Sequence, residues 1–145
     1  MRFAPREKRC RGRSRSPLGS VACEALRVVL TTGHAVLVSR TKAINELKAL
    51  IVTAPEHLRA ELRGCPLAKQ LARIDRLHAG RASAVEHHMT ILALRSIAAR
   101  IAFLTHQVDE LDPQLARLVD EHPAGPTLLR EPGVGPVVAA QLLVS

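Results

Sequence analysis

The chain has 145 residues, with 21 Lys and Arg against 13 Asp and Glu and a formal charge of +8 at neutral pH. Two Phe and no Trp or Tyr argue against an aromatic platform for stacking single-stranded bases and leave a core of Leu, Ile, Val and Ala. Three cysteines, Cys10, Cys23 and Cys65, lack Cys-x-x-Cys spacing, so the pattern supports neither a disulfide framework nor a zinc knuckle and reads as reduced thiols in cytoplasm. No apolar run is expected to approach the roughly 20 residues that cross a bilayer. Glu24 and Arg27 interrupt any signal-peptide core, and no membrane partner is expected.

The charge is concentrated at one end. Residues 1–20 carry seven Arg or Lys against Glu7, a net of +6, and the remaining 125 residues a net of +2. A basic arm gains affinity for nucleic acid by releasing counterions from phosphates, with little regard to sequence. Arg9, Arg11, Arg13 and Arg15 are its candidate phosphate contacts. The same Arg, Ser, Pro and Gly content also suits a solvated tail that holds nothing. Residues 1–19 lack periodicity and are read as disordered, with order beginning near Ser20.

From there Leu26, Leu30, Gly33, Leu37, Arg40, Ile44, Leu47 and Ile51 follow alternating steps of four and three. This spacing predicts a helix over 20–53, in spite of the strand-favouring Val28-Val29-Leu30. Gly33 costs such a helix on the order of 1 kcal/mol relative to Ala, unless a close-packed neighbour uses the missing side chain. Thr53-Ala54-Pro55 ends it. Pro55 to Arg63 predicts a short helix closed by Gly64, and Cys65-Pro66 opens another with Leu67, Leu71, Ile74 and Leu77 on one face, stopped by Gly80.

Leu94, Ile97, Ile101, Leu104, Val108, Leu111, Leu115 and Leu118 then form an unbroken heptad seam, a narrow stripe that needs burial against a second helix. Ser83 and Glu86 form a capping box at its start, predicting a helix over 83–121, and Asp112-Pro113 predicts a kink or a restart within it. Two long helices of similar length, separated by two short ones, predict a long antiparallel hairpin or coiled coil. Its exposed remainder, from the set Leu94, Ile97, Ile101, Leu104, Val108 and Leu111, is the expected oligomerisation surface.

Residues 122–127, His-Pro-Ala-Gly-Pro-Thr, break the second long helix, and Pro132-Gly133-Val134-Gly135-Pro136 separates two further apolar helical patterns. This is a partial helix-hairpin-helix. Its glycines permit backbone angles that let successive amides and the next helix N-terminus face a phosphate, with Val134 packed beneath the turn. An ordinary joint between helices that binds nothing shares the pattern. The expected fold class is therefore all-α, in three segments: a disordered basic arm (1–19), a helical coiled-coil region (20–122) and the truncated start of a helix-hairpin-helix domain (123–145).

The helix containing Arg40-Thr41-Lys42-Ala43-Ile44-Asn45-Glu46-Leu47-Lys48-Ala49-Leu50, the connecting segment, the heptad helix and Pro132-Gly133-Val134-Gly135-Pro136 together resemble the middle of a DEDD-type insertion-sequence transposase. These are the bridge-RNA-guided recombinases, and the resemblance covers roughly residues 21–145. It implies a bacterial, cytoplasmic protein of DNA transposition whose partners are DNA, a structured guide RNA, and further copies of itself or intact transposase subunits. Members of the family carry a nuclease domain with four acidic metal ligands before the coiled coil and a serine-bearing transposase domain after it, and they use Mg²⁺. This chain is expected to begin after the first and to stop as the second begins. Only Glu7 is acidic ahead of the long helices' start at Ser20, whereas a Mg²⁺ site needs several oxygen ligands. No catalytic residue, metal site or cofactor is therefore assigned. Two other readings stay open: a coiled-coil interaction protein that associates with intact transposase subunits, and a decayed reading frame without selected function.

Other constellations carry less. Glu86-His87-His88 lacks a third ligand, and neighbouring helical side chains point about 100° apart, so both histidines are expected to face solvent. His34, His57, His78, His106 and His122 are scattered and define no nucleophilic triad. Asp109, Glu110 and Asp112 are expected to form a hydrated face.

Overall fold

The structure, a computed structural model, describes residues 17–81 and 84–145. The protein is all-α, with no strand among the described residues. Six helices follow in order: α1 (Pro17–Thr53), α2 (Glu56–Leu62), α3 (Leu67–Asp75), α4 (Val85–Glu121), α5 (Gly125–Leu129) and α6 (Pro136–Val144). Arg9, Arg11, Arg13, Arg15 and the cap residue Ser83 lie outside the described residues.

Proline and glycine set the boundaries. α1 opens at Pro17, three residues earlier than Ser20, because proline fits the first helical turn, where its missing donor is not needed. Pro55 and Pro66 occupy the N-cap positions of α2 and α3 in extended backbone. Gly64, between them, takes φ +73°, the left-handed conformation that L side chains resist. α1 passes through Val28–Val29 as helix. Its threonine hydroxyls turn back on the helix: Thr31 donates to Arg27 O at 2.9 Å and Thr41 to Leu37 O at 3.0 Å.

α1 and α4 are 37 residues each, about 55 Å at the helical rise. α4 runs through Asp112-Pro113 as one helix, so the restart does not occur. The ring removes the donor that would reach Asp109 O and crowds that carbonyl, a cost of about 3 kcal/mol. Leu115 and Val119, buried beyond the proline, hold the helix across it.

Contacts divide the chain into two units. One combines the described residues up to Ala35 with Val108–Ser145; the other is Val36–Gln107. In the first, Leu26 of α1, Leu115 and Val119 of α4, and Ala139 and Ala140 of α6 form one buried cluster. Segment 123–145 thus shares its core with both long helices.

In the second unit, Ala43, Leu47 and Ile51 of α1 are buried, as are Leu94, Ile101 and Leu104 of α4. The residues that meet run in opposite order: Arg40 with Thr105, Glu46 with Arg100, His57 with His87. A smaller cluster joins Ala54, Leu58 and Ile91, with Leu77 and Ala79 packed against it. Gln70 on α3 is 9% exposed and donates from Nε2 to Leu62 O at 3.0 Å, satisfying a carbonyl at the end of α2.

Two expectations change at this level. On α1 the buried positions include Val36 and Ala43, while Leu37 is 47% exposed and Ile44 only half-buried. The strict stripe is buried at its ends, at Leu26, Leu47 and Ile51, and gives way between them, where Val36 and Ala43 turn inward in place of Leu37 and Ile44. Gly33 serves no close approach: a Cβ there would meet nothing within 4 Å.

Candidate functional site

The turn between α5 and α6 is the candidate site, and its backbone is built residue by residue. α5 begins at Gly125, so Gly125, Pro126 and Thr127 are helical where the sequence predicts only a break. Arg130 N and Glu131 N donate to Thr127 O and Leu128 O, closing the end of α5. Gly133 takes φ +80°. Val134 N then donates to Glu131 O at 3.1 Å, and the Val134 side chain packs against the Leu26–Leu115–Val119 cluster, as expected for a residue beneath the turn. Gly135, with φ −85° and ψ 175°, is the N-cap of α6, and its carbonyl accepts from Ala139 N at 2.9 Å.

The two glycines do different work. Gly133 needs its freedom of backbone angle. Gly135 has an extended conformation open to any residue, which corrects the expectation that both turn glycines require special angles. A Cβ on either would meet no atom within 4 Å. What Gly135 offers is bare backbone at the start of α6, where first-turn amides lack intrahelical partners and the helix dipole favours an anion. Side-chain charge in the turn is balanced, because Arg130 and Glu131 are both exposed there. Any attraction for phosphate at this turn therefore comes from amides.

The proposed oligomerisation residues lie mostly inside the chain. Leu94 and Ile101 are fully buried and Leu104 is 9% exposed, whereas Ile97, Val108 and Leu111 are half-buried. The seam's burial is satisfied within one chain, so Leu94, Ile101 and Leu104 cannot also face a second copy. Large apolar side chains are exposed elsewhere: Val85, Met89, Leu92 and Phe103 on α4, and Val21, Val28, Leu37, Val38 and Val52 on α1.

Several features escaped sequence reasoning. His87 is half-buried and meets His57, Nε2 to Nδ1 at 2.9 Å with ring centroids 4.6 Å apart, so it does not simply face solvent. No group of three metal-ligating side chains occurs among the described residues. His78, Ala79, His88, Ile91, Leu92 and Arg95 line an open cavity of about 260 Å³. The i, i+3, i+4, i+7 spacing of the four α4 residues was the available signal. Neither Cys23 nor Cys65 is held in a disulfide, and Cys23 Sγ lies 3.9 Å from Leu143 O. α1 from Gly19 to Thr53 and α4 are each long and apolar enough to cross a membrane by length and composition. The expectation that no apolar run approaches this length does not hold for these two helices.

No protein-family model matches the chain, and no curated protein or solved structure matches it.

Proposed function

We propose that the chain is a non-catalytic segment of a DEDD-type insertion-sequence transposase that holds the phosphate backbone of DNA or of a structured guide RNA and assembles with further copies or with intact transposase subunits. The observation that carries this reading is the Gly133-Val134-Gly135 turn. A left-handed glycine, a half-buried valine packed against the core and a bare extended glycine at the start of α6 are the parts of a helix-hairpin-helix phosphate grip. The opposite order of paired residues on α1 and α4 supports the antiparallel hairpin of the same family. The arm arginines Arg9, Arg11, Arg13 and Arg15 add a sequence-independent attraction. No residue is given a catalytic role, and Mg²⁺ belongs to the family's other domains. The proposed setting is the bacterial cytoplasm.

The test is fluorescence anisotropy of labelled duplex DNA and hairpin RNA across a salt series. Binding that weakens steeply with salt, and that falls when residues 1–19 are deleted and Gly135 is replaced by Val, supports the reading. Binding indifferent to both changes removes it. A second reading, a helical interaction protein without nucleic acid, is favoured by the exposed apolar side chains of α4. It predicts association that persists at high salt.

A further inference from the structure

α4 carries a second apolar stripe. Val85, Met89, Leu92, Ser96, Ala99 and Phe103 follow alternating steps of four and three, and all six are exposed, Val85 by 77%, Met89 by 51%, Leu92 by 58% and Phe103 by 61%. Leu92 and Phe103 each stand two residues from buried Leu94 and Ile101, about 200° around the helix. The stripe therefore lies on the side of α4 away from the packed face. Five of its six residues are apolar, over about 27 Å of helix, which is the pattern of a coiled-coil seam left largely exposed among the described residues, with Leu92 at the edge of the cavity beside His78 and Ala79.

We propose that this face of α4 docks against α4 of a second copy, in antiparallel orientation. The inference deepens the assembly half of the function proposed above and stands without the phosphate half. Side-chain size selects the orientation. Antiparallel, with Leu92 opposite the partner's Ser96, each layer joins a larger side chain to a smaller one: Met89 meets the partner's Ala99, and Phe103 meets the partner's Val85. Parallel and in register, Ser96 and Ala99 meet only themselves and leave two adjacent layers underfilled, while Phe103 abuts Phe103.

Charge agrees. In the antiparallel register the flanking Glu86 stands opposite the partner's Arg100, twice by symmetry. Arg95 meets its own copy once. In the parallel register Arg95 faces the partner's Arg100 twice, and Glu86 faces no basic residue of α4. Arg100 also lies 3.4 Å from Glu46 of its own chain, an exposed pair that holds it weakly.

Sedimentation of the full chain over a concentration series tests the proposal. The chain is expected to form a dimer, and Leu92→Glu and Phe103→Glu each to return it to a monomer with an unchanged helical circular dichroism spectrum. Arg100→Glu sets the orientation: it faces the partner's Glu86 and weakens association by about tenfold, and Glu86→Arg in the same chain restores it. A monomer at every concentration, a dimer indifferent to both apolar replacements, or tighter association of Arg100→Glu, the mark of a parallel pair, overturns the proposal. Transfer of the chain to phosphatidylcholine vesicles that Leu92→Glu abolishes also overturns it, because the stripe then faces lipid. A dimer that binds no nucleic acid upholds this inference and removes the phosphate reading; a monomer that binds it does the reverse.

Discussion

Arg40 Nε donates to Thr105 Oγ1 at 2.8 Å, and the Thr105 hydroxyl passes its own hydrogen to Ile101 O at 2.8 Å. The arginine that interrupts the apolar pattern of α1 is thereby given an acceptor on α4, at a half-buried position. Thr105→Val removes the acceptor and leaves the guanidinium underpaired, and is expected to cost about 1–2 kcal/mol in urea denaturation. Arg40→Leu removes the need for the acceptor and is expected to be close to neutral, since polar pairs in such sites offset their own desolvation.

Two glycines on helices respond in opposite directions. At Gly33 a Cβ meets open space, so Gly33→Ala is expected to stabilise by about 0.5–1 kcal/mol through helix propensity. At Gly125 a Cβ would collide with Val119 O, a backbone atom that cannot step aside. Gly125→Ala is expected to destabilise by about 3 kcal/mol. Thermal unfolding followed by circular dichroism reads both.

In the turn before α6, conformation and contact separate. Gly133→Ala forces an L residue into φ +80° and is expected to lower stability by about 1 kcal/mol. Gly135→Ala keeps an allowed extended backbone and should unfold with the parent. Loss of DNA binding in Gly135→Val with unchanged stability is the expected signature of amides used for phosphate; equal losses of stability in both positions would contradict it.

His57 on α2 and His87 on α4 share a hydrogen bond of 2.9 Å. His57→Ala and His87→Ala should each cost about 0.5–1 kcal/mol, and the double replacement less than their sum, because both remove one interaction. A double-mutant cycle in urea measures the coupling.

The helices were legible because their punctuation is local. Pro55, Pro66 and Gly64 delimit α2 and α3 wherever the rest of the chain lies, and the heptad positions of α4 are all at least half-buried. What was not legible depends on the neighbour across the gap. Whether Val36 or Leu37 turns inward is set by what packs against α1 at that point, not by hydrophobicity, since both are apolar. Gly125 reads as a loop residue until Val119 O is placed beside it. Val134 was legible beneath its turn, whereas the backbone difference between Gly133 and Gly135 was not, because the two letters are the same.

The unit from Val36 to Gln107 is a single continuous stretch, whereas the other joins the described residues up to Ala35 to Val108–Ser145. During synthesis every residue of the continuous unit has been added while Ala139 and Ala140, which complete the Leu26 cluster, have not. For that interval the start of α1 waits with Leu26 uncovered. The residues of α6, added after the whole of the continuous unit, close the core that Leu26 of α1 begins.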